Sequence, residues 1–400
     1  MSDLIPDGWD HKNVSDVITL SYGKSPKEIF SDDGVYPVIG TGGITGHTDS
    51  YLHEGKTTVI GRKGSINNPS FITNRFWPID TTYYATNYIG TDEKWFFYLL
   101  QSIDLTKYNE ASGVPSLNRD TLYSIAFITP PLPEQQKIAA ILTSVDEVIE
   151  ITQAQIDKLK DLKTGMMQEL LTVGVGIDGK PHTEFKDSPV GRIPKGWEVH
   201  KFSSACIKIT DGEHLSPKYV EGGLPILSAK DIQLYGIDFT GAKFVSKEAH
   251  VKMLNRCNPE YGDVLIVSRG ATIGKTTMNN STKSFALMGS VILLKPNRGI
   301  CHGPYLSIFI AQPKIKKNMF QLSGSSAQQA IYLKDIKEMQ LPLPSMKEQV
   351  KIADSINSID QKIIHLIEKL SSLTIAKKAL MQDLLTGKVR VNVSSESVEH

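Results

Sequence analysis

Cysteine is scarce in this chain of 400 residues, represented only by Cys206, Cys257 and Cys301. An odd set without the close spacing of a zinc-ligand cluster fits a reducing cytoplasm better than a disulfide framework, and leads us to expect buried thiols. Long apolar runs are missing as well. No stretch of 18 apolar residues offers a membrane span, and no basic segment followed by an apolar one marks a secretory signal near Met1. Overall charge is nearly balanced, with 44 Lys+Arg against 43 Asp+Glu. None of the ten histidines forms a paired metal motif.

Intact catalytic motifs are lacking too. Gly270 to Thr276, with Gly274 and Lys275, imitates a phosphate-binding P-loop but is one residue short between its glycines, and Asn279, Asn280 and Ser281 interrupt the helix such a loop requires. Asn68-Pro69-Ser70-Phe71 lacks the second proline of the loop that grips a flipped adenine in amino-methyltransferases. The glycines between Gly40 and Gly46 do not have the spacing of a dinucleotide loop. Asp49, Glu54 and Lys56 resemble a metal-nuclease triple that is common by chance.

What the chain does have is a duplication. Ile5-Pro6-Asp7-Gly8-Trp9 returns as Ile193-Pro194-Lys195-Gly196-Trp197, and Glu134 to Thr172 returns as Glu348 to Thr386 with 15 of 39 positions identical and no gap. Hand alignment pairs Arg62 with Arg269 and Gly113 with Gly324. It also leaves the second copy 19 residues longer between its tryptophan and its arginine. Charge is not duplicated: residues 1–130 carry net −5, residues 131–173 −3, residues 174–345 +8 and residues 346–400 +1. An acidic first module cannot hold phosphates by a broad positive field, so any nucleic-acid contact there must come from local patches or a partner.

Both repeated segments carry a heptad seam. Ile138, Leu142, Val145, Ile149, Thr152, Ile156, Leu159, Lys163, Met166 and Leu170 alternate in steps of four and three. Ile352, Ile356, Ile359, Ile363, Leu366, Leu370, Leu373, Lys377, Leu380 and Leu384 do the same. Lys163 and Lys377 occupy matching positions, where a lone polar residue either sets register or extends to solvent. At 1.5 Å per residue each segment makes a rod of about 58 Å. Pro131-Leu132-Pro133 and Pro342-Leu343-Pro344 precede the rods, and Gly174 and Gly387 follow them.

The remaining sequence reads as two mixed α/β domains. Strands are expected at residues 57–61, 76–80 and 124–129, then at 264–268, 291–295 and 338–341. Short buried helices are expected at 95–103 and 304–311. The expected organisation is a first domain at 1–133, a long helix at 134–173 and an exposed linker at 174–193. A second domain at 194–345, a second long helix at 346–388 and a disordered tail at 389–400 complete it.

Two variable α/β modules, each opened by Ile-Pro-x-Gly-Trp and closed by Pro-Leu-Pro, Glu-Gln-x-Lys-Ile-Ala and a heptad helix, resemble the specificity (S) subunit of type I restriction-modification enzymes. The resemblance covers essentially Ile5 to Val389, departing by a three-residue insertion at Ser345 to Lys347. It implies two target recognition domains in tandem, each reading one half of a bipartite, asymmetric double-stranded DNA sequence. Their long helices pair as an antiparallel coiled coil of pseudo-two-fold symmetry that spaces them. The resemblance further implies two modification subunits methylating adenine with S-adenosylmethionine, and restriction subunits using ATP and magnesium. This chain itself then holds no catalytic residue, metal or cofactor and meets no membrane. The competing readings are an atypical DNA methyltransferase or nuclease and a coiled-coil scaffold that reads no DNA.

Loops after matched strands are the candidate DNA contacts. In the first module these are Thr41, Gly42 and Gly43, with Arg62, Lys63 and Ser65, then Ser116 and Asn118 before the closing strand. In the second they are Ser228, Ala229 and Lys230, with Arg269, Thr272 and Lys275, then Gln328 and Gln329. Arginine can fork onto guanine or clamp a phosphate, and glutamine can read an adenine edge. Equally, an arginine can pair with a carboxylate and a loop glutamine can simply shape a turn.

Overall fold

The computed structural model describes residues 5–176, 178–322 and 330–393. They form two compact units, one of residues 1–153 with 369–400 and one of residues 154–368. The division falls inside the long helices Leu132–Leu170 and Met346–Leu385 rather than at their ends. Each unit is therefore a globular domain carrying a part of both helices. The first helix begins two residues before the expected start, with Pro133 in its first turn, where a missing N–H costs nothing. Both helices end three residues short of the expected ends.

In the first unit, Thr19–Tyr22, Thr82–Thr86, Thr57–Gly61 and Ser70–Ile72 form an antiparallel sheet in that order. A second sheet orders Gly43–Thr48, Tyr36–Gly40 and Trp77–Pro78, the last two parallel. The ribbon Asp10–Asn13 with Ala126–Thr129 closes the domain. The second unit repeats this topology. Its four-stranded sheet runs Cys206–Asp211, Val291–Pro296, Val264–Val267, Thr276–Met278, and its three-stranded sheet runs Lys243–Val245, Tyr219–Leu227, Ala286–Leu287, again with a parallel last pair. Glu198–Lys201 pairs with Gln340–Leu343. The hairpin Ile232–Gln233/Gly236–Ile237 and the helix Lys247–Arg256 have no counterpart among the described residues of the first unit and account for much of the second unit's extra length.

Several expected elements shift. The strand at 76–80 shrinks to Trp77–Pro78 because Phe76 bridges to His53 instead. Ser124 caps the helix Arg119–Tyr123, which delays the next strand to Ala126. The strand expected at 338–341 lies at Gln340–Leu343, after the helix Leu333–Glu338. The expected buried helices are Glu93–Ser102 and Gly303–Ala311. Each packs its apolar side chains with a tryptophan of the repeated motif and with the first turns of a long helix. Trp95, Phe96 and Leu100 join Trp9, Ile138 and Leu142; Tyr305, Leu306 and Phe309 join Trp197, Ile352 and Ile356.

The repeated motifs form these joints. Buried Glu134 accepts a bond from Trp9 Nε1 at 3.1 Å and from Arg390 Nε and Nη2, each at 2.8 Å. Buried Glu348 accepts from Trp197 Nε1 at 3.2 Å, lies 2.9 Å from His182 Nε2, and takes the N–H groups of Val175 and Gly176. Gln135 and Gln349 take the next step. Each donates to a carbonyl just before its helix (Pro130, Pro344) and accepts the backbone N–H of the residue that caps the short buried helix (Asp92, His302). Glu-Gln is thus a structural pair that satisfies buried polar groups.

The same joints correct two sequence expectations. The segment 174–193 is not simply an exposed linker. Gly174 and Gly176 are buried against Glu348, and Phe185–Lys186 pairs with Ile193–Pro194. Gly174 has φ +75°, and a Cβ there would lie 2.5 Å from the Glu348 carboxylate and 2.8 Å from the Trp197 ring, so only glycine fits. Nor is the tail wholly free, since Arg390 grips Glu134 and Val391 packs on the first core. Residues 394–400 lie outside the described residues.

Within each unit the helices run antiparallel and the seam positions face inward. Ile138, Leu142, Thr152, Ile156, Ile352, Ile356, Ile359, Ile363 and Leu384 are buried. Val145, Ile149, Leu159, Met166, Leu170, Leu366, Leu370, Leu373 and Leu380 are half-buried. The two seam lysines do not simply reach solvent. Lys163 Nζ lies 2.6 Å from Asp360 Oδ1 in one unit, and Lys377 Nζ lies 2.6 Å from Asp146 Oδ1 in the other. A tyrosine covers each pair, with Tyr235 5.5 Å from Lys163 and Tyr98 5.3 Å from Lys377. Tyr98 also donates to Asp146 at 2.7 Å.

Two outcomes are expected. Burial pushes the Glu134 carboxyl up, but bonds from Arg390 and Trp9 outweigh it and hold the group below its ordinary 4.5. A depressed carboxylate stabilises the fold above its unfolded value and loses that contribution as pH falls through the folded one. Unfolding scans will show an acid-sensitive component below about pH 4.5 that Glu134→Gln removes, with a loss of about 1–3 kcal/mol at pH 7. Separately, Asp360→Ala will cost about 1–3 kcal/mol by stranding Lys163, whereas Lys163→Met with Asp360→Leu will restore most of it in a double-mutant cycle by denaturant melting.

Candidate nucleic-acid interface

In the first domain three loops meet at one edge. Thr41 and Gly42 form the turn between the strands Tyr36–Gly40 and Gly43–Thr48. Gly64, at φ +92°, would place a Cβ 3.4 Å from the Thr41 hydroxyl. Lys63 forms an antiparallel bridge with Ser116, and Leu117 N–H donates to the Arg62 carbonyl at 2.9 Å. The edge thus gathers Thr41, Gly42, Gly43, Arg62, Lys63, Ser65 and Ser116. Lys63 and Ser65 are exposed. Asn118 is occupied differently, because its side chain accepts Asp120 N–H and caps the helix Arg119–Tyr123.

The second domain presents the matching edge. Val267 N–H and Gly274 N–H close the turn between Val264–Val267 and Thr276–Met278, so a strand follows Lys275 where a P-loop would need a helix. Arg269 and Thr272 are exposed, while Lys275 Nζ donates to Gln233 at 3.3 Å. Ser228 donates to Asp231, and Lys230 is held by the Gly241 carbonyl at 2.5 Å and Asp231 at 3.4 Å. Ala229 N–H reaches Ser290 Oγ and Ser268 N–H reaches the Ser290 carbonyl, joining the two loops. Gln328 and Gln329 lie outside the described residues.

The alignment of Arg62 with Arg269 needs correcting by one residue. Ile331 N–H donates to the Ser268 carbonyl as Leu117 does to Arg62, and Arg269 bridges Ala330 as Lys63 bridges Ser116. Gly64 and Gly270 both follow with positive φ, +92° and +94°. Arg62 therefore corresponds to buried Ser268, and the two side chains bond equivalent carbonyls, Asp80 and Gly289. Arg269 corresponds to Lys63. A one-residue slip along a strand turns the side chain to the other face, so the two arginines do not do the same work.

Two residues that sequence reasoning missed complete the first edge. Tyr22, at the end of an unforeseen strand, lies edge-on to Tyr83 with ring centroids 5.1 Å apart, and Arg119 follows the capping Asn118. Burial and the neighbouring Tyr22 push the Tyr83 phenol up to about 12 against the opposing charge of Arg62. The available signal was the Tyr22-Gly23 pair and its counterpart Asp211-Gly212, where both glycines bond the neighbouring strand (Thr82, Val291). Among the described residues, no group of three or more His, Cys, Asp or Glu could hold a metal ion, and no helix is long and apolar enough to cross a membrane. Glu54 of the apparent nuclease triple pairs with Arg75 at 2.9 Å.

Two α/β domains of one topology, each braced on long helices and each offering a loop edge with an exposed cation, define a tandem-repeat recognition protein. The family model for the type I restriction modification DNA specificity domain matches residues 6–161 and again residues 194–373, and the chain belongs to that family. It is 24% identical over 420 residues to the type I restriction enzyme MjaVIII specificity subunit of Methanocaldococcus jannaschii, covering 97% of this chain and 94% of the relative. It is 22% identical over 410 residues to the EcoBI specificity subunit of Escherichia coli, covering 92% and 84%. The fold is shared with the crystal structure of a type I restriction-modification S subunit from M. genitalium, with a TM-score of 0.67 at 20% identity over 96% of this chain and 97% of that one.

Because Lys63 and Arg269 are the equivalent exposed cations, Arg269→Ala will weaken or relax recognition of one DNA half-site and Lys63→Ala the other. Binding of the assembled complex to duplexes with either half-site scrambled checks this, with a loss of about 1–3 kcal/mol where a base is read.

Proposed function

We propose that this chain is the non-catalytic DNA sequence-recognition subunit of a cytoplasmic type I restriction-modification complex. Each globular domain reads one half of a bipartite, asymmetric duplex target. The long helices fix the distance between the domains and dock two modification subunits, which methylate adenine with S-adenosylmethionine. Restriction subunits of the same complex use ATP and magnesium. The observation that carries this reading is a common frame with unlike edges. Tyr22, Arg62 and Lys63 stand in one domain where Asp211, Ser268 and Arg269 stand in the other, at or just past the ends of matching strands. One fold with two different loop surfaces suits two different half-sites, while the matched helix starts suit two copies of one partner.

Reconstitution tests it. The purified chain is expected neither to methylate nor to cut DNA, and to show no heat of binding with S-adenosylmethionine. Mixed with its modification subunits it is expected to direct methylation to one bipartite sequence, with retention on DNA that falls steeply with salt. Methylation by the chain alone would point to an atypical methyltransferase, and an assembled complex without sequence preference would point to a scaffold. Lengthening both helices by a whole heptad is expected to alter the gap between half-sites and leave their bases unchanged.

A further inference from the structure

The first domain carries net −5 over residues 1–130, yet two of its arginines converge without a counter-charge. The Arg62 guanidinium lies 5.3 Å from the centroid of the Tyr22 ring, and that of Arg119 lies 5.2 Å from the same ring. Among the described residues neither has a carboxylate partner within ion-pair distance. Arg62 Nη1 donates to the Asp80 carbonyl at 3.3 Å, and Arg119 Nε is buried with no hydrogen-bond partner among the described residues. Tyr22 is 45% exposed, so the cluster opens to solvent at the edge where the loops meet.

We infer that Arg62, Arg119 and Tyr22 form a clamp for one backbone phosphate of the DNA beside the first half-site, an inference that rests on the proposed recognition function. Two like charges on one ring repel in the free protein and become favourable once an anion lies between them. Guanidinium forks match phosphate oxygens, and Arg119 has a donor left unused. Both arginines are half-buried and held against the sheet edge, which suits gripping a backbone more than reaching into a groove. The protruding neighbours Lys63 and Ser65 are left to meet the bases. In the second domain the equivalent positions are Asp211, Ser268 and Leu333, and Asp211 is already paired with Arg256 at 2.6 Å and His214 at 2.9 Å. The clamp belongs to the acidic domain alone, whereas residues 174–345 carry net +8 and can draw phosphates by their general field.

The test uses the chain assembled with its modification subunits, its target duplex, and a duplex with the first half-site scrambled, over a salt series. Arg62→Ala and Arg119→Gln are each expected to lower affinity about tenfold on both duplexes and leave the ratio between them unchanged. Each is also expected to flatten the slope of log K against log salt by about one. Arg119→Lys, which keeps the charge, is expected to keep the slope. Size-exclusion chromatography verifies assembly, and Arg62→Ala decides the matter if Arg119→Gln does not assemble. A loss confined to the target duplex makes these arginines base readers and overturns the clamp, as does an unchanged affinity and slope. A wild-type complex that does not distinguish the two duplexes overturns the recognition function instead, while the salt slopes still judge the clamp.

Discussion

A carboxylate buried in the first turn of each long helix must be satisfied where it stands, and this requirement organises the rest of the molecule. Glu134 draws the entering tryptophan, the helix and the chain's closing segment into one joint, and Glu348 does the same with Trp197 and the segment around His182. An ionised group in such a place is tolerable only with charge-assisted or multiple hydrogen bonds. Arg390 supplies two of them in one unit, and two backbone N–H groups with a histidine supply them in the other. The globular domain is thereby oriented on its helix by hydrogen bonds with fixed directions as well as by apolar packing.

The seam adds a second constraint. Apolar heptads alone leave register loosely specified, because leucine and isoleucine exchange neighbours at small cost. A lysine placed among them and met by one aspartate of the other helix penalises any sliding, since a slipped helix strands both charges. The pairs Lys163–Asp360 and Lys377–Asp146 provide this, and Tyr235 and Tyr98 tie each pair to a domain. Burial raises the Asp360 carboxyl despite Lys163, a sign that desolvation is a real cost of this specificity.

The frame was legible in the sequence because it occurs twice. The Trp, Glu-Gln and heptad positions repeat at fixed offsets, and periodicity needs no tertiary knowledge. The α/β class and the buried helices near Trp95 and Tyr305 could be read from apolar runs. Sheet order could not, because it depends on pairings such as Tyr36–Gly40 with Trp77–Pro78, far apart in sequence. The candidate edge is legible only in part. The loops that carry Lys63 and Arg269 can be placed after matched strands from the sequence, but equating Arg62 with Arg269 is one residue out of step, which only the backbone hydrogen bonds reveal. Ser228, Lys230, Lys275 and Asn118 were attractive as polar loop residues, yet their side chains hold the loops themselves. Tyr22 and Arg119 were missed because their meaning arises from proximity across more than ninety residues.

The chain therefore joins a repeated, internally braced frame to two edges that share a backbone path and one exposed cation but differ at Tyr22/Asp211 and Arg62/Ser268. Separable reading follows from this, since the edge residues take little part in the joints and the joints take none of the edge. The most direct measurement is the methylome of a host whose copy of this chain has its first globular domain exchanged for that of a relative. One half-site should change while the second half-site and the gap remain. A change in both half-sites, or in the gap, would contradict the account.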